Sequence, residues 1–388
     1  MNSNERAILE LLLENPLLSQ NELASILKIT RSSVSVYISH LIQEGYIRGR
    51  GYLLNSNSSY YVIGSAIIDY RTNLSSETIF DDSTMHLDDC ELVTSYGGFA
   101  KNIAENLSRL GNTTAAIFAI GDDNIGRELL DECKNNGVNV DDILTVPASK
   151  TSTYLEIRSI DRSRIILAAT NSGLQYQMTP RFLITKQQKL KNAKAIVLED
   201  GLSVESMQYL TSIYKGILVG VKMGRVKKYK SFLGQFSGLL VSLQIACALT
   251  DIPYDLAESD DFVFKVVKKL RSQMKGPLLI CYGENKFCFH NSYRVIFCTF
   301  SSTSVNAKLY SHYRDPVAAG FVNCIAENIF DEKLLQFVSA CREISASLPV
   351  PSCQTLCPEL VSSTMKELKF HFSSLLLPDP TSPEEPLP

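Results

Sequence analysis

Apolar residues recur along the chain with two different rhythms, and the change falls near residue 55. Before it, Ile8, Leu9, Leu11, Leu12 and Leu13 form the apolar stretch of a helix that Asn15-Pro16 ends. Ser19 stands three residues before Glu22, the spacing of a capping box, and opens a second helix through ELASILKI. Thr30 opens a third, RSSVSVYISHLIQEGYI, where Val34, Val36, Ile38, Leu41 and Ile42 combine helical spacing with β-branching and Gly45 provides the exit. GYIRGRGYLL then holds two short strands turning at Arg48-Gly49-Arg50-Gly51. Beyond a polar link, NSNSS, short apolar runs alternate with amphipathic ones. YYVIGSAIIDY, TAAIFAIG, AIVLED, ILVGV and PLLICYG read as buried strands. FAKNIAENLSRL, GRELLDECKNNG, SVESMQYLTSIY and FVFKVVKKLRSQM read as helices, with GLLVSLQIACAL apolar throughout and a last helix from about Asp315. Strand–helix repetition predicts an α/β parallel sheet flanked by helices, with ligands at the carboxyl ends of its strands. Residues 71–95 and 151–168 break the rhythm. The second alternates like a β-hairpin, which suits a small β lid over a site.

The first unit, residues 1–55, resembles a winged helix-turn-helix, an α+β fold whose third helix enters the major groove. That resemblance puts Arg31, Ser32, Ser33, Ser35 and Tyr37 at the groove and Arg48 and Arg50 on the wing, with DNA as the partner. A helical protein-interaction module is the competing reading. Five Lys/Arg against five Asp/Glu over residues 4–54 make the electrostatic contribution to DNA affinity weak, so specific binding is expected to need a homodimer.

Composition narrows the rest. The 388 residues carry 38 basic and 41 acidic side chains, which excludes a histone-like binder but not a small DNA-reading module. No apolar run approaches the roughly 18–20 residues that span a bilayer, and no signal peptide is read, so a cytoplasmic protein without a membrane partner is expected. Ten cysteines show no CxxC pair, and Cys353 and Cys357 have no His close enough for zinc. They read as small buried hydrophobes, and no metal site is assigned.

Gly64, Asp69, the run Tyr96-Gly97-Gly98-Phe99-Ala100-Lys101-Asn102 through Leu107, Leu110-Gly111, Gly121-Asp122-Asp123, Gly126 and Gly137-Val138 carry a family resemblance. Over residues 60–365 the chain is similar to the PfkB/ribokinase carbohydrate kinases. Gln354-Thr355-Leu356-Cys357-Pro358-Glu359-Leu360 and the fused winged helix point to the pseudouridine-kinase-like branch. The resemblance implies that a sugar or nucleoside is held by Asp69, Gly97, Gly98 and Asn102. It places Asp315 as general base, although Asp315-Pro316 is equally a good helix cap. It also implies Mg-ATP as cosubstrate if the domain is active.

The phosphate side departs from that pattern. His312 and Arg314 stand where glycines would cradle phosphate at a helix start. Ser242-Leu243-Gln244-Ile245 replaces an Asn-x-x-Glu motif, Gly283-Glu284-Asn285-Lys286 keeps only the first Gly of a Gly-x-x-Gly turn, and an acidic position falls on Lys222. Gly283, His312 and Arg314 therefore mark a nucleotide or anion region of altered chemistry. Lys227-Lys228-Tyr229-Lys230 reads as a solvated helix face and residues 370–388 as a disordered tail. The expected function is a ligand-sensing DNA-binding regulator using a catalytically impaired kinase-like domain. The alternatives are an active ATP-dependent kinase of pseudouridine or a related sugar, and a scaffold without catalysis.

Overall fold

The computed structural model describes residues 2–15, 18–47, 59–74, 79–80, 85–86, 90–160, 164–171, 173–221, 224–291, 294–302, 314–346 and 353–377. Helices α1 (Ser3–Glu14), α2 (Gln20–Leu27) and α3 (Arg31–Gln43) pack around Ile8, Leu12, Leu23, Val34, Ile38, Leu41 and Ile47. The capping box at Ser19 and Glu22 is formed, Thr30 caps α3, and a second box at Asn2 and Glu5 opens α1. Arg48, Arg50 and the expected wing turn lie outside the described residues, as do 55–58 of the polar link.

The large domain begins with β1 (Tyr60–Ile63), β2 (Ile67–Asn73), β3 (Ile79–Phe80), β4 (Met85–His86), β5 (Val93–Gly97), α4 (Phe99–Arg109), β6 (Thr114–Ile117), β7 (Ala119–Gly121) and α5 (Asn124–Asn135). Next come β8 (Val138–Asn139), β9 (Leu144–Val146), β10 (Thr153–Arg158), β11 (Ile165–Asn171), α6 (Pro180–Ile184), α7 (Gln187–Lys191), β12 (Ala195–Leu198) and α8 (Val204–Ile213). The remainder is β13 (Ile217–Val221), α9 (Val226–Tyr229), β14 (Gly238–Ser242), α10 (Leu243–Thr250), α11 (Asp260–Arg271), β15 (Leu278–Tyr282), β16 (Lys286–Asn291), β17 (Arg294–Phe300), α12 (Arg314–Ala326), α13 (Asp331–Ala346), α14 (Pro358–Glu367) and β18 (Phe370–Leu376).

The main sheet has the order β18-β17-β16-β15-β14-β13-β12-β1-β6-β8. Strands β15 to β8 in that order pair in parallel, and β16, β17 and β18 extend the edge antiparallel. The sheet is therefore mixed rather than wholly parallel. Side-chain alternation feeds two cores: Tyr60 and Val62 join α4, α12 and α13 on one face, and Tyr61 and Ile63 join α8, α10 and α11 on the other.

Three sequence readings are corrected. YYVIGSAIIDY is two strands: β1 stays in the main sheet, the chain breaks at Gly64-Ser65-Ala66, and β2 crosses into a second sheet, β11-β10-β2-β5. A Cβ at Gly64 would stand 2.5 Å from a Glu199 carboxylate oxygen, so the turn admits no side chain. Helix α12 is not the last, since α13 and α14 follow. Strand β18 then pairs with β17 using residues assigned to the tail, because Phe370 and Phe372 pack against the core; residues 378–388 lie outside the description. The expected hairpin over 151–168 is formed by β10 and β11.

Helix α4 buries a full ion pair. Lys101 Nζ lies 2.9 Å from Glu105 and 2.8 Å from Glu132, and donates to the Tyr96 carbonyl. Burial works to lower the Lys101 ammonium, but the two carboxylates overcome it and hold it above the ordinary lysine range. Lys101→Met leaves Glu105 buried without its cation and should cost about 3–5 kcal/mol. Urea unfolding of Lys101→Met and of Lys101→Met/Glu105→Leu checks this, with the double variant recovering much of the loss.

Candidate functional site

The two glycines of the Gly97-Gly98 turn are required for separate reasons. A Cβ on Gly97 would sit 2.3 Å from Asp69 Oδ2, and one on Gly98 would sit 2.5 Å from Ala66 Cα. Gly98 also has φ of 104°, a conformation that side chains rarely adopt. The turn thereby brings the start of α4 against the β1–β2 break. Ser65 completes the joint: its N–H and Oγ both donate to Glu199 at 2.7 Å, and its Oγ accepts from the Phe99 N–H. Glu199, at the carboxyl end of β12, escaped the sequence reading. An acidic pair, Glu199-Asp200, closing an apolar strand was the available signal.

Asp69 lies within β2, in the lid sheet rather than at the end of the first strand. The residue is 3% exposed, and its Oδ2 accepts from Arg71 Nη2 at 2.8 Å. Burial pushes the Asp69 carboxyl above the ordinary carboxylate range, and the Arg71 cation opposes this without cancelling it. Arg71 also approaches Glu156 on β10 at 3.8 Å. Glu156 accepts from Arg158 at 2.6 Å and from the Tyr154 hydroxyl at 2.7 Å. Burial works to raise the Glu156 carboxyl, but those two bonds prevail and hold it low. Asp69 and Glu156 are thus balanced by Arg71 and Arg158, which leaves the lid wall without net charge.

One turn into α4, Asn102 Nδ2 donates to Asp315 Oδ2 at 2.7 Å, joining residues 213 positions apart. Both side chains are buried, and Asn102 Oδ1 has no partner among the described residues. Asp315 stands inside the first turn of α12, one residue beyond its start at Arg314, and its side chain is turned to Asn102. The sequence alternatives of base and cap thus meet a third fact, a buried carboxylate beside the expected sugar-binding Asn. Asp69, Gly97, Gly98, Asn102 and Asp315 converge around the α4 start. His312 lies outside the described residues, and Arg314 is described only as the first residue of α12.

Gly121, Asp123 and Gly126 hold the scaffold beside this region. Asp123 caps α5 through the Gly126 N–H and accepts from the N–H and Oγ1 of Thr151 at 2.9 and 2.6 Å, fixing the approach to β10. The run at Lys227 is less solvated than expected: Tyr229 is buried, and Lys228 donates to the Leu202 carbonyl and lies over Tyr176.

Gly283 belongs elsewhere. It lines a cavity of about 300 Å³ with Ser242, Leu243 and Gln244 at the start of α10, Lys286 on β16 and Arg342 on α13. Ser242 caps α10 through the Ile245 N–H, which explains why a small hydroxyl serves at that position. The Gly283 N–H donates to Glu258 Oε2 at 2.7 Å. Buried Arg342 donates to the Glu284 carbonyl and to Ser302, and lies over the Phe300 ring.

On α3, Arg31 and Ser32 are exposed, and Ser33, Ser35 and Tyr37 are half-buried. Ser32 and Ser33 share hydrogen bonds with Thr30, so part of the polar run serves the cap. Val36, missed by the sequence reading because it scored as core, is 66% exposed beside them, where an apolar side chain can meet a thymine methyl. The far end of α3 touches the large domain: Asn192 Nδ2 donates to the Glu44 carbonyl at 2.9 Å, and Gln188 donates to the Gln43 carbonyl.

Residues 57–221 match the pfkB family carbohydrate kinase model, and residues 1–48 match a winged helix-turn-helix DNA-binding model. The chain is 32% identical over 251 residues to an uncharacterized sugar kinase, YeiI, of Escherichia coli, covering 63% of this chain and 68% of that one. It is 31% identical over 150 residues to the pseudouridine kinase of the same organism, covering 38% and 46% of the two chains. In structure it is similar to a carbohydrate kinase from Agrobacterium tumefaciens, with a TM-score of 0.68 at 20% identity over 82% of this chain and all of that one.

Arg71→Met removes the cation that counters burial at Asp69. The Asp69 carboxyl should then titrate higher still, so its ionised form is lost at a higher pH as the solution is acidified. Carboxyl ¹³C chemical shifts followed through an acid titration check the sign.

Proposed function

The chain belongs to the pfkB family of carbohydrate kinases, with a winged helix-turn-helix ahead of the kinase domain, and from that premise we propose that it is a ligand-responsive DNA-binding regulator. The ligand is an uncharged sugar or nucleoside, bound where Asp69, Gly97, Gly98, Asn102 and Asp315 converge. An ionised Asp69 accepts from ligand hydroxyls, the glycine turn lets backbone N–H groups approach without Cβ contact, and a hydroxyl donates to the unpartnered Asn102 Oδ1. Ligand closes the lid sheet and biases the recognition helices of a homodimer over two half-sites, about 34 Å apart on DNA.

The observation that carries this reading is the contrast between the two sides of the domain. The sugar side supplies buried acids, a glycine turn and an open acceptor. The nucleotide side, the cavity at the carboxyl ends of β14 and β15, has the N-terminus of α10 and Lys286 to attract phosphate. Yet at the α10 start Ser242, Gln244 and Ile245 supply no carboxylate; the acidic side chains that line the cavity, Glu258 and Glu284, come from other segments, and among the described residues no group of three His, Cys, Asp or Glu side chains could hold a metal ion.

An active kinase is the second reading, favoured by the buried Asp315 beside Asn102. In it the ligand hydroxyl gives its proton to Asp315 and attacks the terminal phosphorus of ATP, and ADP departs with the bridging oxygen.

Phosphate transfer from Mg-ATP to a panel of nucleosides and sugars, compared with Asp315→Ala, separates the two. Turnover no greater than in the variant is expected; turnover that the variant abolishes would put the kinase first. For the DNA arm, Arg31→Ala should weaken binding at every salt concentration and reduce the slope of affinity against salt by about one counterion. Unchanged affinity and slope would remove α3 from the DNA interface.

A further inference from the structure

Among the groups that the proposed function leaves unused, the loop between α10 and α11 carries an unusual one. Glu258 has φ of 45°, in the left-handed region that residues other than glycine rarely enter. Its carboxylate is held from both sides. Oε2 accepts the Gly283 N–H at 2.7 Å, and the Tyr254 hydroxyl donates to Oε1. Gly283 itself has φ of 55°, in the tight turn that joins β15 to β16. The acceptor in place belongs to the chain.

The cavity wall therefore contains an internal anion bonded to a backbone donor that lines the cavity. The α10 N-terminus and Lys286 favour a phosphate chain. A fixed carboxylate among them opposes it by like-charge repulsion and by prior occupation of the amide. Arg342 offers little compensation, since its guanidinium is committed to Glu284, Ser302 and Glu343. A ligand without phosphates meets neither obstacle.

The geometry points to Glu258 as an internal competitor for nucleotide phosphate, making this cavity select an uncharged nucleoside over the corresponding triphosphate. The inference rests on the reading of the cavity as the nucleotide side of the domain. A nucleoside triphosphate enters only by drawing the Glu258 carboxylate off the Gly283 amide.

Calorimetric titration of the full chain with adenosine and with ATP tests it, using wild type, Glu258→Gln and Glu258→Ala. Removing the charge should tighten ATP by about tenfold or more in both variants, with adenosine changed less than about twofold. Tyr254→Phe, which keeps the carboxylate but loosens its hold, should give a smaller gain for ATP alone, and serves if the Glu258 variants fold poorly. ATP affinity equal in wild type and all variants would overturn the competitor while leaving the cavity a nucleotide site. An equal gain for adenosine would replace charge competition with simple obstruction and overturn the selectivity. Absence of binding by both ligands in every protein would overturn the cavity reading together with the inference.

Discussion

The architecture depends on one backbone approach: Gly98 packed against Ala66, with Gly97 packed against the Asp69 carboxylate. A Cβ at Gly98 would stand 2.5 Å from the Ala66 backbone, which cannot yield, and one at Gly97 would displace the Asp69 carboxylate from its place. This contact lets the chain leave the main sheet after β1, at Gly64, continue as β2 in the lid, and still meet the start of α4. Three environments then share one corner. The lid supplies Asp69, the helix supplies Asn102, and α12, packed beside α4, supplies Asp315. Ser65 and Glu199 lock the corner to the end of β12 with bonds of 2.7 Å.

Burial at that corner sets the chemistry. Asp69 is removed from water and resists ionisation, and Arg71 restores much of the lost stabilisation from two residues away. Glu156, equally buried, meets Arg158 and Tyr154 and stays ionised. Two carboxylates and two guanidinium groups therefore form a nearly neutral wall in which only hydrogen-bond direction distinguishes ligands. A phosphorylated sugar would bring charge that this wall does not offset. A neutral polyol would exchange water bonds for equivalent ones.

Much of this was legible in the sequence because it rests on local rules. The Ser19 capping box and the strand–helix alternation declare themselves within a dozen residues, and the Gly97-Gly98-x-x-x-Asn102 run stands out through its family resemblance. What escaped was non-local. YYVIGSAIIDY reads as one apolar run, and only the Glu199 side chain, 135 residues past Gly64, shows why the strand must break there. The 370–376 segment looks like the start of a tail because its partner, β17, is remote in sequence and its aromatic residues alternate with polar ones. The Asn102–Asp315 bond and the Glu258–Gly283 contact likewise join distant segments, and no periodicity announces such pairs. Val36 scored as core because its helix has apolar residues on more than one face.

Under the proposed regulator reading, a ligand signal would have to reach DNA through the segment that follows the lid. Strand β11 of the lid leads through a 3-10 turn at Gly173–Gln177 and α6 into α7, and Gln188 and Asn192, in and just after α7, hold the last carbonyls of α3. The recognition helix is thus tethered to the segment that follows the lid. Each such exposed hydrogen bond is worth about 0.5–1.5 kcal/mol net. Two of them, fully made in one state and lost in the other, shift a conformational equilibrium by a factor on the order of 10–100. That suffices to bias an orientation and falls short of the roughly 10⁴-fold differential affinity that a complete switch requires. The proposed homodimer would narrow the gap: both tethers would act on one DNA site, so their free energies would add while the half-site spacing is read once. In that proposed regulator, a weak contact at the end of α3 would govern DNA binding only with two copies of the chain acting together.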